Sequence, residues 1–90
     1  MDEQLLDLRK QIDAIDTQLL TLLAKRLEIV SAIGTLKKKH GVEIFDRNRW
    51  EAMLQERKEQ AAFLHLDEET VAKLFMLIHD HAVAIEKEMA

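Results

Sequence analysis

The chain has no cysteine, no proline, only two glycines and a single tryptophan. Without cysteine no disulfide can constrain the unfolded chain, and the thiolates that dominate structural zinc sites are missing. Four histidines remain, His40, His65, His79 and His81, and their spacing suits no tetrahedral set, so no metal is expected. An excess of positive charge is missing too. With 13 Lys+Arg against 17 Asp+Glu the net charge is −4, which argues against a nucleic-acid module. Any anionic ligand must then be met by a local cluster of cations. No apolar run approaches the ~18 residues of a membrane span. The opening Met1-Asp2-Glu3 runs into amphipathic sequence, without the basic and apolar regions of a signal peptide. These absences predict a cytoplasmic protein with neither nucleic acid nor membrane as partner.

What is present is 90 residues, 48% of them apolar, read as one all-helical unit over residues 1–90. A chain this short buries only about 60–65% of the surface that it exposes when unfolded. With disulfides and metal excluded, oligomerisation is the remaining means of stabilisation. Only two places force a helix to stop. At Lys39-His40-Gly41-Val42, three lysines complement a C-terminal dipole and Gly41 can turn left-handed. The second break lies at Phe63-Leu64-His65-Leu66, ahead of Asp67, an N-cap candidate. Asp46 could cap a middle helix. The spacing therefore predicts three helices, over residues 4–39, 46–63 and 67–89.

The first helix carries apolar residues at a strict 3-4 spacing: Leu5, Leu8, Ile12, Ile15, Leu19, Leu22, then Ile29, Ile33 and Leu36. That is a coiled-coil seam. Some 35 helical residues make a rod of about 50 Å, too long to be covered by the two shorter helices of its own chain. A second copy alongside, an intertwined homodimer, is the simplest cover. Position 26 should continue the seam but is Arg26. A guanidinium at a helix interface must be paired, and periodicity alone leaves open whether its partner is Glu28 of a neighbouring chain, a register device or a ligand. Gly34, inside the same helix, is either a place where something approaches the backbone or a tolerated accident. In the second helix Trp50 joins Met53 and Leu54 on the inward stripe. In the third, Val71, Leu74, Phe75, Ile78, Ala82, Ile85 and Met89 form the expected buried stripe, with Glu86 at its edge.

Four stretches carry a resemblance that periodicity does not supply. They are Leu8-Arg9-Lys10-Gln11-Ile12-Asp13-Ala14-Ile15-Asp16, Leu22-Leu23-Ala24-Lys25-Arg26, Ile33-Gly34-Thr35-Leu36-Lys37 and Ile44-Phe45-Asp46-Arg47-Asn48-Arg49. At these spacings, and over essentially its whole length, the chain resembles the all-helical AroQ class of chorismate mutases. The resemblance implies an intertwined dimer of three-helix chains with two identical active sites, converting chorismate to prephenate without metal, nucleophile or redox cofactor. It implies that Arg9 reaches into the partner's site, while Arg26, Lys37, Asp46 and Arg49 line the site of their own chain and Glu86 sits at the ether-oxygen position. Arginine forks would bind the two substrate carboxylates, Lys37 would donate to the ether oxygen, and Asp46 would accept from the ring hydroxyl. The catalytic group is then Arg26, Lys37 and Glu86; substrate binding adds Arg9, Asp46, Arg49, Trp50 and Ala82.

Three positions depart from the common pattern. Glu86 stands where bacterial members often have glutamine, and an ionised carboxylate there would repel the developing charge. It would help only when protonated, so activity is expected to be higher at acidic pH. Trp50 stands where many members carry a glutamate, and its indole only donates; hydroxyl recognition would rest on Asp46, or on Glu51 if the helix is rotated. Ala82 stands where serine is frequent. These departures keep open a shift toward 4-amino-4-deoxychorismate, or a pyruvate lyase acting on isochorismate. A non-catalytic helical dimerisation module is the remaining alternative, and in it the cations would only set register and solubility.

Overall fold

The computed structural model describes residues 2–89. Within them the chain forms three helices: α1 (Glu3–His40), α2 (Arg47–Phe63) and α3 (Glu68–Met89). The all-α expectation holds, and each boundary falls within one residue of its predicted place; residues 1 and 90 of the expected 1–90 unit lie outside the described residues.

Local chemistry explains each helix end. The Asp2 carboxylate accepts the Gln4 N–H at 2.8 Å and starts α1. Gly41 ends it at φ 66°, with the Val42 N–H donating to the Lys37 carbonyl at 2.9 Å and the Gly41 N–H to the Lys38 carbonyl at 3.4 Å. Asp46 caps α2 by accepting the Arg49 N–H at 3.0 Å. At the second break His65 takes the left-handed conformation (φ 59°) that glycine takes at the first, and the Leu66 N–H donates to the Ala61 carbonyl at 2.8 Å. Asp67 then accepts from the Thr70 hydroxyl at 2.6 Å and from its N–H at 2.9 Å. These two bonds, the hydroxyl's first, hold the Asp67 carboxyl below its ordinary value.

α3 packs against both α1 and α2. The molecule measures 58 × 25 × 15 Å, and the 38 residues of α1 alone account for about 57 Å. Its radius of gyration is 16.8 Å, against about 12 Å for a compact chain of this length. Every residue from 2 to 25 is exposed. The buried apolar residues are few and mostly small: Val30, Met53, Ala61, Ala72 and Ala82. Leu74, expected in the buried stripe of α3, is instead 52% exposed, and Ala72 is buried. Two helices cover only part of the α3 circumference, and Leu74 and Leu77 are left on its uncovered side.

Gly34 has a definite reason. A Cβ built there would lie 3.2 Å from Glu86 Cγ, 3.4 Å from Met89 Sδ and 3.5 Å from Glu86 Cα. The glycine lets the last turns of α3 sit directly on the α1 backbone, which fixes Glu86 opposite α1. Lys38 Nζ adds a bond to the Met89 carbonyl at 3.3 Å.

Candidate active site

The three helices enclose a cavity of about 310 Å³. Each contributes residues at helical spacing, so that one face of each looks inward. α1 supplies Arg26, Val30, Ile33 and Lys37; the start of α2 supplies Asp46, Arg49, Trp50 and Met53; α3 supplies His79, Ala82, Val83 and Glu86. The α1–α2 connection closes the rim with Val42, Glu43 and Ile44.

Lys37 and Glu86 form an ion pair at the cavity wall. Lys37 Nζ donates to Glu86 Oε2 at 3.4 Å and also to the Ile44 carbonyl, so both the loop and α3 hold the ammonium in place. Glu86 is 6% exposed and is the buried charged residue of the described chain. The sequence pattern had put it at the edge of the α3 stripe; the close approach permitted by Gly34 draws it inside. Arg26 is half-buried and makes no ion pair among the described residues of its own chain. Asp46 commits one oxygen to capping α2, and its second oxygen remains to accept from a ligand. Glu51, the alternative acceptor, faces elsewhere: Arg47 Nε donates to it at 3.1 Å on the exposed side of α2.

Of the residues expected at the site, seven lie together around this cavity: Arg26, Lys37, Asp46, Arg49, Trp50, Ala82 and Glu86. Arg9 does not. It stands on the exposed N-terminal part of α1, 17 residues from Arg26, or about 26 Å along the helix. A more open hollow at the end of α2, lined by Glu56, Glu59, Gln60, Phe63 and Leu64, has no cation to meet an anion. No group of three His, Asp or Glu side chains that could hold a metal ion occurs among the described residues. None of the helices is long and apolar enough to cross a membrane.

The family model for chorismate mutase type II matches residues 8–87. The chain belongs to the chorismate mutase type II family. Among its relatives is the chorismate mutase of Methanocaldococcus jannaschii, 28% identical over 98% of this chain and 89% of that protein. The T-protein of Haemophilus influenzae is 49% identical over 66% of the chain but only 16% of its own length. The bifunctional chorismate mutase/prephenate dehydratase of Escherichia coli is 31% identical over 98% of the chain and 23% of its own length. The chain thus spans a minor part of some of the relatives it matches. Among solved structures, a conserved hypothetical protein from Pyrococcus furiosus superposes with a TM-score of 0.74 at 34% identity, over 96% of this chain and 99% of that one.

Sequence reasoning missed two polar members of this mutase-family cavity. Glu43 lines its rim, and nothing in the pattern of a connecting loop would have marked it. His79 lines its wall with the imbalance of a polar ring on an inward face, and its stacking on Trp50 (centroids 4.1 Å apart) is legible only in three dimensions.

Proposed function

We propose that this domain rearranges chorismate to prephenate in two sites shared across a homodimer. The observation that carries the reading is the cavity itself, where Arg26, Lys37 and Arg49 converge from two helices on a space walled by apolar side chains. The reaction breaks the ether C–O bond while a C–C bond forms, with no atom gained or lost. The protein needs to hold the substrate in its compact diaxial conformer and to stabilise charge as the ether bond lengthens. Arg26 and Arg49 offer planar forks to carboxylate. Lys37, already fixed by the Ile44 carbonyl, is preorganised to donate to the ether oxygen. Glu86, held beside Lys37, faces the same end of the cavity, and the free oxygen of Asp46 accepts from the ring hydroxyl. Trp50 and Ala82 shape the wall.

The second copy is argued from the seam. Its nine residues, from Leu5 to Leu36, are each between 41% and 63% exposed in the single chain. Covering the exposed half of such a side chain contributes about 1 kcal/mol. Nine per chain amount to on the order of 20 kcal/mol for the pair, against a cost of association of about 4–15 kcal/mol. Arg9 projects from that same seam margin, beyond reach of its own cavity, and so serves the partner's site. A dissolved, doubly charged substrate is consistent with work in the cytoplasm.

The test is turnover by purified protein. Loss of chorismate with formation of prephenate is expected; consumption of 4-amino-4-deoxychorismate or isochorismate instead would move the chemistry within the fold. Consumption of none would leave a helical dimerisation module.

A further inference from the structure

Trp50 is the single tryptophan of the chain, and its indole is held within a set of three rings. The His79 imidazole stacks on it, with centroids 4.1 Å apart and planes 28° from parallel. Phe45 meets the same imidazole edge-on at 5.6 Å and 68°. The rings come from three different pieces of the fold: the α1–α2 connection, the first turn of α2 and the middle of α3. His79 also borders two spaces, the cation-bearing cavity and a separate hollow of about 440 Å³ bounded by Phe45, Asp80, Val83 and Lys87. The carboxylate oxygen beside it, Asp80 Oδ1, is 3.9 Å from Nδ1, beyond hydrogen-bonding range. Ring contact, rather than a polar bond, therefore fixes the imidazole and the indole against each other.

We propose that His79 is a positioning residue for substrate binding: by stacking on Trp50 it holds the indole as a wall of the dianion cavity and separates that cavity from the hollow behind. The proposal rests on the reading of the cavity as the chorismate site. Trp50 has no acceptor for the ring hydroxyl, so its contribution is shape, and shape requires that the indole be prevented from turning. Removal of the imidazole opens space on the stacked face of the indole and joins the cavity to the hollow. Neither ring stabilises the charge that develops on the ether oxygen. The effect falls on ground-state and transition-state binding alike, and so on KM rather than kcat.

The experiment compares the wild-type chain with His79→Ala and His79→Phe, after circular dichroism has established equal helix content. Trp50 emission, the one indole signal of the chain, reports the stack without reference to activity. In His79→Ala we expect red-shifted emission and easier quenching by acrylamide, with KM for chorismate raised roughly 3- to 10-fold, the range for loss of one aromatic pair, and kcat within about twofold. His79→Phe retains a ring and should return both emission and KM toward wild type. Unchanged emission and KM in His79→Ala would overturn the proposal. So would a His79→Phe variant as impaired as the alanine variant, or a fall in kcat at constant KM. A wild-type chain that turns over no chorismate would instead remove the functional reading, and the emission of the two variants would still decide whether His79 holds Trp50.

Discussion

If each site takes Arg9 from one chain and Lys37 from the other, two inactive variants should rescue each other. Arg9 and Lys37 lie on one straight helix, 28 residues apart, or about 42 Å along its axis. No side chain bridges that distance, so the two can act on one substrate only across a dimer. Arg9→Ala and Lys37→Ala should each lower turnover by about 10²–10³-fold, as deletions of preorganised charged donors do. When the variants are unfolded together and refolded at equal concentration, half of the dimers formed at random contain one chain of each. Such a dimer has one site with both defects and one with neither. Activity should therefore return to about one quarter of wild type, on the order of 25- to 250-fold above either parent. The assay is steady-state turnover of the refolded mixture, with native mass measurement to count the mixed dimers. A mixture that contains the expected mixed dimers and is no more active than its parents would refute the shared site, because it would mean that Arg9 acts in its own chain or not at all.

Ile15→Asp, at a seam position 51% exposed in the single chain, should dissociate the proposed dimer in sedimentation experiments, lower helix content and abolish turnover together; a wild type that sediments as a monomer, or a variant that stays dimeric, would refute the seam as the interface. Gly34→Ala gains about 1 kcal/mol of helix propensity but sets a methyl group 3.2 Å from Glu86 Cγ, an overpacking cost of about 1–3 kcal/mol, so thermal stability should be equal or lower while turnover falls further through displacement of Glu86. Glu86→Ala, which removes the buried carboxyl that Lys37 contacts at 3.4 Å, should lower kcat/KM by about 10²-fold; an unchanged value would remove Glu86 from the chemistry. His65→Gly relieves a left-handed non-glycine residue and should raise stability by about 1 kcal/mol, seen as a Tm higher by about 4–8 °C with turnover unchanged.

The sequence carried the helices because their ends are local chemistry: Asp46 and Asp67 as caps, Gly41 as a left-handed stop. Much of the site was legible for a different reason, the family resemblance: it named Arg26, Lys37, Asp46, Arg49, Ala82 and Glu86, which periodicity alone left as a gap in a seam, a helix cap and edge residues, and the fold brings them around one cavity. Tertiary contacts between helices were less legible. Glu86 looked like an edge residue because the α3 stripe was drawn from α3 alone, whereas its burial comes from Gly34 on another helix. Leu74 looked buried because hydrophobicity does not say how much of a helix its neighbours cover. The Trp50–His79 stack joins residues 29 apart in sequence, and no periodicity links them.

The charges around the cavity connect assembly to chemistry. Within one chain the three cations Arg26, Lys37 and Arg49 face three carboxylates, Glu43, Asp46 and Glu86. With all six ionised the cavity is neutral, and a dianion would gain little by entering it. Glu43 is exposed and screened by water, whereas Glu86 is buried against Lys37, so the charge of Lys37 is largely met within the chain and the two arginines are left to face a ligand with two carboxylates. In the proposed dimer Arg9 of a second copy would add one more positive charge to this set. A chain of net charge −4 would then hold a dianion only when paired, and the exposed seam of α1 would serve assembly and binding at once, so that loss of the seam and loss of turnover should go together.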